Sequence, residues 1–410
     1  MSKYNPFNPN STVMPTLFAG RVDQVYAICR KLEHISKGMP SSFFIYGEKG
    51  IGKTALAKLI LYISSLKDPQ CHNLNLLTSY YSVEKGQNFE RVLQESLNKL
   101  TDKMDKNVLD TLGSKLGGLL KNGKFQIGAF GVNLALESLG GEEQEKQKEV
   151  IIKDQATSIL SNIITSITTG DSTVSRDGIL IVIDETHNLK NIETASSILR
   201  NIITTLDVDG SGKISFLLLG YKEDMERFFS EDSSSRRSFD LVELGIMPKN
   251  EAAEILTKGF NEASIKWDDD SLKLNIGAAG GYPHSIQILG HKLVEVDADN
   301  FIDGKDWIAA ITSTAAELRS KDFSQMYSFN KPLTVKDEVL ALLADVNKPL
   351  SKKEISEGVI GKNIYQSIPA LKKSGAVKET PDKKIELHSQ LFRTAIIIDQ
   401  FIREQEDLKK

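Results

Sequence analysis

The stretch GEKGIGKT, residues 47–54, places three glycines, Lys53 and Thr54 at a characteristic spacing. Glycine lets backbone amides come close to an anion, because no Cβ obstructs the approach. Lys53 adds a positive charge, the helix predicted to begin here adds the partial charge of its N-terminus, and the Thr54 hydroxyl is a suitable ligand for Mg²⁺. The spacing G-x-x-x-x-G-K-[ST], between a strand and a helix, therefore predicts a site for nucleotide phosphates.

The predicted nucleotide is ATP with Mg²⁺, since the sequence has no N-K-x-D element for reading a guanine. Lys53 is expected to act in catalysis as well as in binding, and Thr54 to bind the metal. The residues of this stretch that we expect to contact the nucleotide are Gly47, Glu48, Lys49, Gly50, Ile51, Gly52, Lys53, Thr54 and Ala55.

Two adjacent carboxylates end an apolar run, ILIVIDE, at residues 179–185. Asp184 lies at the carboxyl end of the predicted strand, where open α/β sheets bind their ligands. We expect Asp184 to hold Mg²⁺, through water, and Glu185 to orient or deprotonate the attacking water. His187 follows two residues later, and its position at a helix start fits either a structural role or one beside the site.

Short apolar runs alternate with longer amphipathic stretches between about residues 40 and 245. The runs have the composition of buried strands, and the stretches have helical spacing. This β-α alternation predicts an α/β fold in which helices flank an open parallel sheet. The predicted strands span residues 41–47, 73–83, 178–184 and 213–220, and the predicted helices span 54–66 and 89–100.

The interval between Lys53 and Asp184 is too long for the two β-α steps assigned to it, since 184 − 53 is 131 residues. The excess lies at about residues 104–150, which we interpret as an insertion. Within it, alternation in 124–136 predicts a hairpin that turns near Gly128 to Gly131, and a charged run follows at 142–149. A solvated surface insertion and an element for partner binding or self-assembly both fit this pattern.

Two further units are predicted beyond residue 245. Apolar residues at i, i+3, i+4 spacing predict a small all-helical bundle, with helices at 249–263, 270–280, 283–296 and 304–320. From about 333 to 400 the pattern predicts three helices and then two short strands around the turn PDKK. The predicted domains are therefore residues 1–245, 246–328 and 329–410.

The composition is that of an ordinary soluble, reduced protein. The chain has 51 Lys and Arg against 55 Asp and Glu, and a net charge of −4 excludes a globally basic nucleic-acid coat. The apolar runs are too short for a membrane helix, and the N-terminus lacks the layout of a secretory signal. Cys29 and Cys71 lie outside any CxxC or Cys/His cluster, so neither a disulfide framework nor a zinc site is expected. We expect a cytoplasmic location.

These motifs together resemble the AAA+/STAND group of P-loop ATPases, and most closely the branch with archaeal origin-recognition (Orc/Cdc6-like) initiators. GEKGIGKT and IVIDE match its Walker A and Walker B motifs, and residues 5–21 match its opening segment, in which Gly20 and Arg21 would lie near the adenine. The resemblance implies a P-loop NTPase domain with a parallel sheet, then an all-helical lid, then a winged-helix domain. Self-association is also implied.

Two departures from the family pattern affect the predicted site. Tyr221 or Lys222 stands at sensor 1, where Asn, Ser or Thr is commoner. In the lid element G-x-P, Pro283 would pack near the base, but His284 replaces the Arg that serves initiators as sensor 2. One phosphate contact would then be missing, so slow hydrolysis is expected.

Arg236 and Arg237 match the family's arginine-finger region, which in assembled rings reaches a neighbouring subunit's γ-phosphate. Two arginines on a polar loop without a functional contact would give the same pattern. The surrounding low-complexity patch, residues 230–238, is predicted to be a mobile loop.

The terminal unit resembles a winged helix, with residues 364–375 as its recognition helix and 379–387 as its wing. Residues 331–410 hold 15 Lys and Arg against 12 Asp and Glu, a net charge of +3, which leaves −7 for the other 330 residues. DNA binding and protein or intramolecular docking both remain open. The lysines at helix ends and in the wing that could contact phosphates are Lys352, Lys353, Lys372, Lys373, Lys383 and Lys384.

Two functions follow from the resemblance. One is an ATP-binding switch or assembly factor, part of a multi-component DNA-related or defence system. The other is a DNA-binding initiator or regulator in which ATP is mainly structural. The sequence has no nuclease, TIR-like or protease motif, which favours an effector or partner protein encoded elsewhere.

Overall fold

The computed structural model describes residues 4–66, 74–128, 141–169, 175–320, 322–328, 333–360 and 364–407. Contacts between residues divide the chain into two units. We call Arg21–Gly245 the sheet unit, and Met1–Gly20 with Ile246–Lys410 the helical unit. The three-domain boundaries predicted from the sequence stay a prediction. None of the described helices combines the length and apolarity that crossing a membrane requires.

The sheet unit alternates strands and helices along most of its length. Its helices are α1 (Val22–Leu32), α2 (Lys53–Ser65), α3 (Phe89–Thr101), α4 (Lys106–Leu116), α5 (Gly141–Thr169), α6 (Ile192–Val208) and α7 (Lys222–Phe228). Its strands are β1 (Ser42–Gly47), β2 (Leu76–Ser82), β3 (Leu120–Lys121), β4 (Lys124–Phe125), β5 (Gly178–Asp184), β6 (Ile214–Gly220) and β7 (Phe239–Leu244).

Five of these strands form one parallel sheet in the order β2-β5-β6-β1-β7. Every residue of β5 and β6 is buried, as expected for central strands that are apolar on both faces. The α/β prediction and its four strands are confirmed. The edge strand β7 was missed, because its half-exposed sequence FDLVEL lacks the continuous apolar run of the central strands. The order places the carboxyl ends of β1, β5 and β6 side by side.

The described part of the insertion is integrated into the core of the sheet unit. The hairpin β3–β4 packs on α3, where the Phe125 amide donates to Asn98 Oδ1 at 2.7 Å and the Ile127 amide to Gln94 Oε1 at 2.9 Å. Its turn is Asn122–Gly123, both with positive φ, and the turn predicted near Gly128 to Gly131 stays a prediction. Asn-Gly is the strongest short hairpin signal, and it was overlooked. Residues 129–140 of the predicted hairpin lie outside the described residues.

The helical unit contains the predicted bundle. Its four helices agree with the sequence prediction to within one residue at each end. The helices of this unit are α8 (Lys249–Glu262), α9 (Asp269–Ala279), α10 (Pro283–Val296), α11 (Gly304–Ser320), α12 (Val335–Val346), α13 (Lys352–Gly358), α14 (Ser367–Lys373) and α15 (Gln390–Asp407). Its short strands are β8 (Lys266–Trp267), β9 (Phe301–Ile302), β10 (Val377–Glu379) and β11 (Ile385–Leu387).

The region after residue 333 consists of α12, α13, α14, the antiparallel hairpin β10–β11 and the long helix α15. Leu350, between α12 and α13, bridges Ile385 of β11. These three helices and the hairpin were predicted.

Candidate nucleotide site

The loop between β1 and α2 has the backbone shape that a phosphate site needs. A Cβ on Gly47 would lie 2.5 Å from the Leu244 carbonyl oxygen, so only glycine fits where β1 ends beside β7. Gly52 has a φ of +100°, a left-handed conformation that favours glycine, and it begins α2. Glu48, Lys49 and Gly50 are exposed. The first amides of α2 have no intrahelical acceptors, so this loop fits an anionic ligand.

Lys53 lies at the start of α2, with its ammonium turned back over the loop. Lys53 Nζ donates to the carbonyl oxygens of Gly47 and Glu48 at 2.8 and 2.9 Å. It also lies 4.7 Å from the centre of the Tyr221 ring. Burial lowers the pKa of Lys53, and the charges of Asp184 and Glu185 oppose that shift. The ammonium therefore donates to two backbone carbonyls, and phosphate oxygens would replace these acceptors.

Thr54 and Asp184 are brought together as predicted. Thr54 Oγ1 donates to Asp184 Oδ2 at 2.7 Å, and Asp184 is only 2% exposed. A hydroxyl and a carboxylate are oxygen ligands of the kind Mg²⁺ prefers. Among the residues that the structure describes, no group of three or more His, Cys, Asp or Glu side chains could hold a metal ion. Mg²⁺ bound here would thus depend on phosphate and water for its other ligands.

Tyr80 is a member of this site that the sequence analysis missed. Its hydroxyl donates to Asp184 Oδ2 at 2.8 Å. Burial, together with the charge of Asp184, raises the pKa of Tyr80 well above its usual value. Tyr80 lies on β2, which pairs with β5 in the sheet. Only the strand order reveals this contact, because nothing in the sequence near Tyr80 indicates a neighbour 104 residues away.

Glu185 follows β5 in a left-handed conformation, with a φ of 58°. Its carboxylate is 45% exposed, and Oε2 lies 3.2 Å from Nδ1 of His187. The backbone amide of Glu185 donates to Asp184 Oδ1 at 2.7 Å. A carboxylate that is accessible to water and close to the phosphate loop is suitably placed to act as a general base.

Arg21 is buried against the phosphate loop. It is 4% exposed, and its Nη2 donates to the carbonyl oxygens of Ile51 and Gly245. In the structure this side chain supports the loop and the segment after β7, and its predicted place near the adenine stays a prediction. Gly20, Pro283 and His284 belong to the helical unit. Pro283 is the first residue of α10, where its missing N–H breaks no helical hydrogen bond.

Arg236 and Arg237 lie on a 3₁₀ helix, Ser233–Ser238, in the segment that the sequence predicted as a loop. The turn is fastened to α6, because Ser196 Oγ donates to Ser235 Oγ at 2.6 Å and Arg200 pairs with Asp232 at 2.8 Å. Both predicted finger residues are exposed. The Arg236 guanidinium lies 5.7 Å from the Phe229 ring centre.

Comparison with known proteins agrees with this geometry. Residues 17–208 match the family described as the AAA ATPase domain. This stretch is similar to the AAA ATPase domain family. The chain therefore binds ATP and hydrolyses it, as the motifs predicted, and the P-loop fold is confirmed.

Solved structures with a similar fold have low sequence identity to the chain. The Walker-type ATPase of Pyrococcus abyssi superposes with a TM-score of 0.50 at 13% identity, covering 95% of this chain and 99% of that chain. The ORC2 protein of Aeropyrum pernix, in ADPNP and ADP complexes, gives 0.44 at 14% identity, covering 97% and 98%. Cdc6p of Pyrobaculum aerophilum gives 0.43 at 13% identity, covering 94% of each chain. No curated protein matches the chain. At such identities the likeness concerns the fold alone.

Proposed function

We propose that this AAA ATPase is a nucleotide-driven switch or assembly factor, whose helical unit changes position when ATP binds or is hydrolysed. Thr54 and Asp184, which lie 2.7 Å apart, would hold Mg²⁺, and the ion would supply positive charge that offsets the charge of the phosphates. Lys53 binds the phosphates, and Glu185 accepts a proton from the attacking water. Because His284 stands where initiators have an arginine, hydrolysis is slow.

The observation that carries the switch proposal is the connection between the lid and the terminal region. Arg393 of α15 is 6% exposed, and its Nε donates to the Ala344 carbonyl at 2.8 Å. Its Nη1 donates to the Ala278 carbonyl at 3.1 Å. One guanidinium thus donates to carbonyls in the last turns of α12 and of α9, where the helix itself provides no N–H donor.

Two side-chain contacts reinforce this connection around the turn that precedes Pro283. Asn347 Nδ2 donates to the Gly280 carbonyl at 3.3 Å, and the hydroxyls of Ser285 and Thr394 lie 2.7 Å apart. Gly280 has a φ of +62°, a left-handed conformation that favours glycine, and a Cβ there would lie 2.3 Å from Arg393 Nη1. Any movement of the turn bearing Pro283 and His284 should therefore carry the terminal region with it.

Spin labels test this proposal directly. With Cys71→Ser as background, one label replaces the exposed Asp110 of the sheet unit, and the second replaces either Lys305 in the lid or Glu357 in the terminal region. We expect ATP to shift both distance distributions. In Arg393→Ala we expect the lid distance still to shift, while the terminal distance broadens and no longer follows it. Identical distributions without nucleotide, with ATP and with ADP would contradict the switch.

Self-association through Arg236 and Arg237 is the second part of the proposal. Both guanidinium groups are exposed on an ordered turn, which is what a contact with a neighbouring subunit requires. We expect the turnover per chain to rise with protein concentration. A mixture of Arg237→Ala and Glu185→Gln chains should regain activity, because one interface then combines an intact carboxylate with an intact arginine.

The mixing experiment has a matched control in Arg30→Ala, which removes an exposed arginine elsewhere on the sheet unit. The Arg30→Ala variant should keep full activity by itself. When it is mixed with Glu185→Gln, the turnover per chain should not exceed the average of the rates of the two separate variants. Repeating the mixture with Arg236→Ala assigns the contact to one arginine. A turnover per chain that is independent of concentration, with no recovery on mixing, would exclude the finger role.

The alternative function is DNA binding through the terminal region, with ATP mainly structural. Exposed Lys373 at the end of α14 and exposed Lys383 in the hairpin favour it. Other lysines there already have acidic partners: Lys372 pairs with Glu379, and Lys384 lies 3.5 Å from Asp382. These partners reduce the charge available to phosphates, so we expect modest affinity unless several subunits act together. A partner protein encoded elsewhere would supply the effector in either function.

Charge reversal tests this alternative. Changing Lys372, Lys373, Lys383 and Lys384 to Glu should abolish DNA binding and leave ATP binding intact. Four phosphate contacts predict a slope of log K against log salt of roughly −3.6 in the unchanged protein. The control reverses Lys37, Lys106, Lys121 and Lys124, which are exposed on the sheet unit and give the same change in charge. Gel shifts at two salt concentrations, with and without ATP, measure the result. No shift in any condition would assign the region to protein docking.

A further inference from the structure

A continuous line of side-chain contacts crosses the phosphate site and joins the Walker lysine to the predicted general base. Lys53 Nζ lies 4.7 Å from the Tyr221 ring centre. The Tyr221 ring lies 4.8 Å from the His187 ring, and His187 Nδ1 is 3.2 Å from Glu185 Oε2. The proposed function assigns no role to the two middle residues, Tyr221 and His187.

Tyr221 is fixed at this place by the end of β6. Its amide donates to Asp224 Oδ2 at 2.7 Å, where α7 begins. Thr186 Oγ1 donates to the Leu219 carbonyl at 3.0 Å, which ties the turn after β5 to β6. A Cβ on Gly220 would lie 2.3 Å from that hydroxyl oxygen, so glycine is needed for this close approach. The spacing between Tyr221 and His187 is therefore set by the backbone.

These contacts are poorly suited to a purely structural role. The His187 side chain is 31% exposed and that of Glu185 is 45% exposed. An ion pair or hydrogen bond this accessible to water adds little to folding stability. What the 3.2 Å contact between Nδ1 and Oε2 does affect is the direction of the Glu185 carboxylate, because it holds one of the two oxygens beside the imidazole.

We propose that His187 and Tyr221 are positioning residues of the ATPase: His187 orients the Glu185 carboxylate, and the Tyr221 ring supports both the imidazole and the Lys53 ammonium. This inference rests on the proposed roles of Glu185 and Lys53. Tyr221 then stands at the sensor 1 position, where a polar residue is commoner, and acts through contacts of its aromatic ring. Positioning of this kind acts on the rate of hydrolysis more than on nucleotide affinity.

Two substitutions of His187 separate orientation from packing. Asparagine places an amide N–H close to the position of Nδ1, whereas leucine fills the space without a donor. We expect His187→Leu to lower kcat by about tenfold or more and to leave the Kd for ATP, measured without Mg²⁺, within about twofold. His187→Asn should recover much of the lost kcat. A wild-type kcat in His187→Leu, or a loss that asparagine does not recover, would overturn the role of His187.

A double variant tests whether His187 acts through Glu185. In a Glu185→Gln background, adding His187→Leu should have little further effect on kcat, because the oriented carboxylate is already gone. An equal tenfold loss in both backgrounds would show that His187 acts independently, and the inference would fail. If Glu185→Gln alone leaves turnover unchanged, the general-base proposal fails instead, so the two failures are distinguishable.

The ring of Tyr221 is tested in the same assays. Tyr221→Phe keeps the aromatic face over Lys53 and beside His187, and should retain most of the activity. Tyr221→Leu removes that face and should lower kcat by about tenfold, with a melting temperature close to that of the phenylalanine variant. Equal rates for the two variants would overturn the role of the ring, and so would a large loss in both.

Discussion

ATP binding should be lost when Lys53 is replaced by alanine. Lys53 Nζ is bonded to the carbonyls of Gly47 and Glu48, and phosphate oxygens would take over these hydrogen bonds. The loop amides remain in the variant, but they provide only partial charges. Losing a charge-assisted contact with the phosphates should weaken ATP binding by about 100-fold or more, measured by calorimetric titration.

Lys58→Ala is the matched control for this variant. Lys58 lies on the same helix, α2, and its removal changes the net charge and the helix by the same amount. ATP affinity in this control should equal that of the unchanged protein. Micromolar affinity retained in Lys53→Ala would contradict the assignment of the phosphate site, whatever the turnover of that variant.

Glu185→Gln should bind ATP normally and hydrolyse it on the order of 100-fold more slowly, or slower still. The amide has the shape of the carboxylate but accepts no proton from water. Asp184 keeps its contacts with Thr54 and Tyr80, so metal binding should be retained. Calorimetric titration gives the affinity, and release of phosphate under steady-state conditions gives the rate.

The control for this change is Glu226→Gln, an exposed carboxylate of α7 in the same unit. Its turnover should match that of the unchanged protein. If Glu185→Gln also turns over at the unchanged rate, another group activates the water. Slow turnover together with lost affinity would instead indicate damage to the phosphate loop.

The sequence alone was enough to predict the phosphate loop, Asp184 and Glu185, the four core strands and the helices of the bundle. Each of these features is encoded within a short stretch. The glycines and Lys53 lie within a single loop of the chain. The periodicity of a strand or a helix is likewise visible within about a dozen residues. The turn of the β3–β4 hairpin is also encoded in a short stretch, because Asn122–Gly123 is a local turn signal. The sequence analysis overlooked it and placed a turn at later glycines.

Only the tertiary structure showed that Tyr80 contacts Asp184, that the Tyr221 ring lies beside the His187 ring, and that Arg393 joins α9 to α12. The strand order places β2 and β6 on either side of β5, which brings together residues more than a hundred positions apart. Arg393 looks like any surface arginine of an amphipathic helix until its carbonyl acceptors are known. Sheet order and helix packing result from burying apolar surface between distant segments, and no short stretch of sequence encodes that choice.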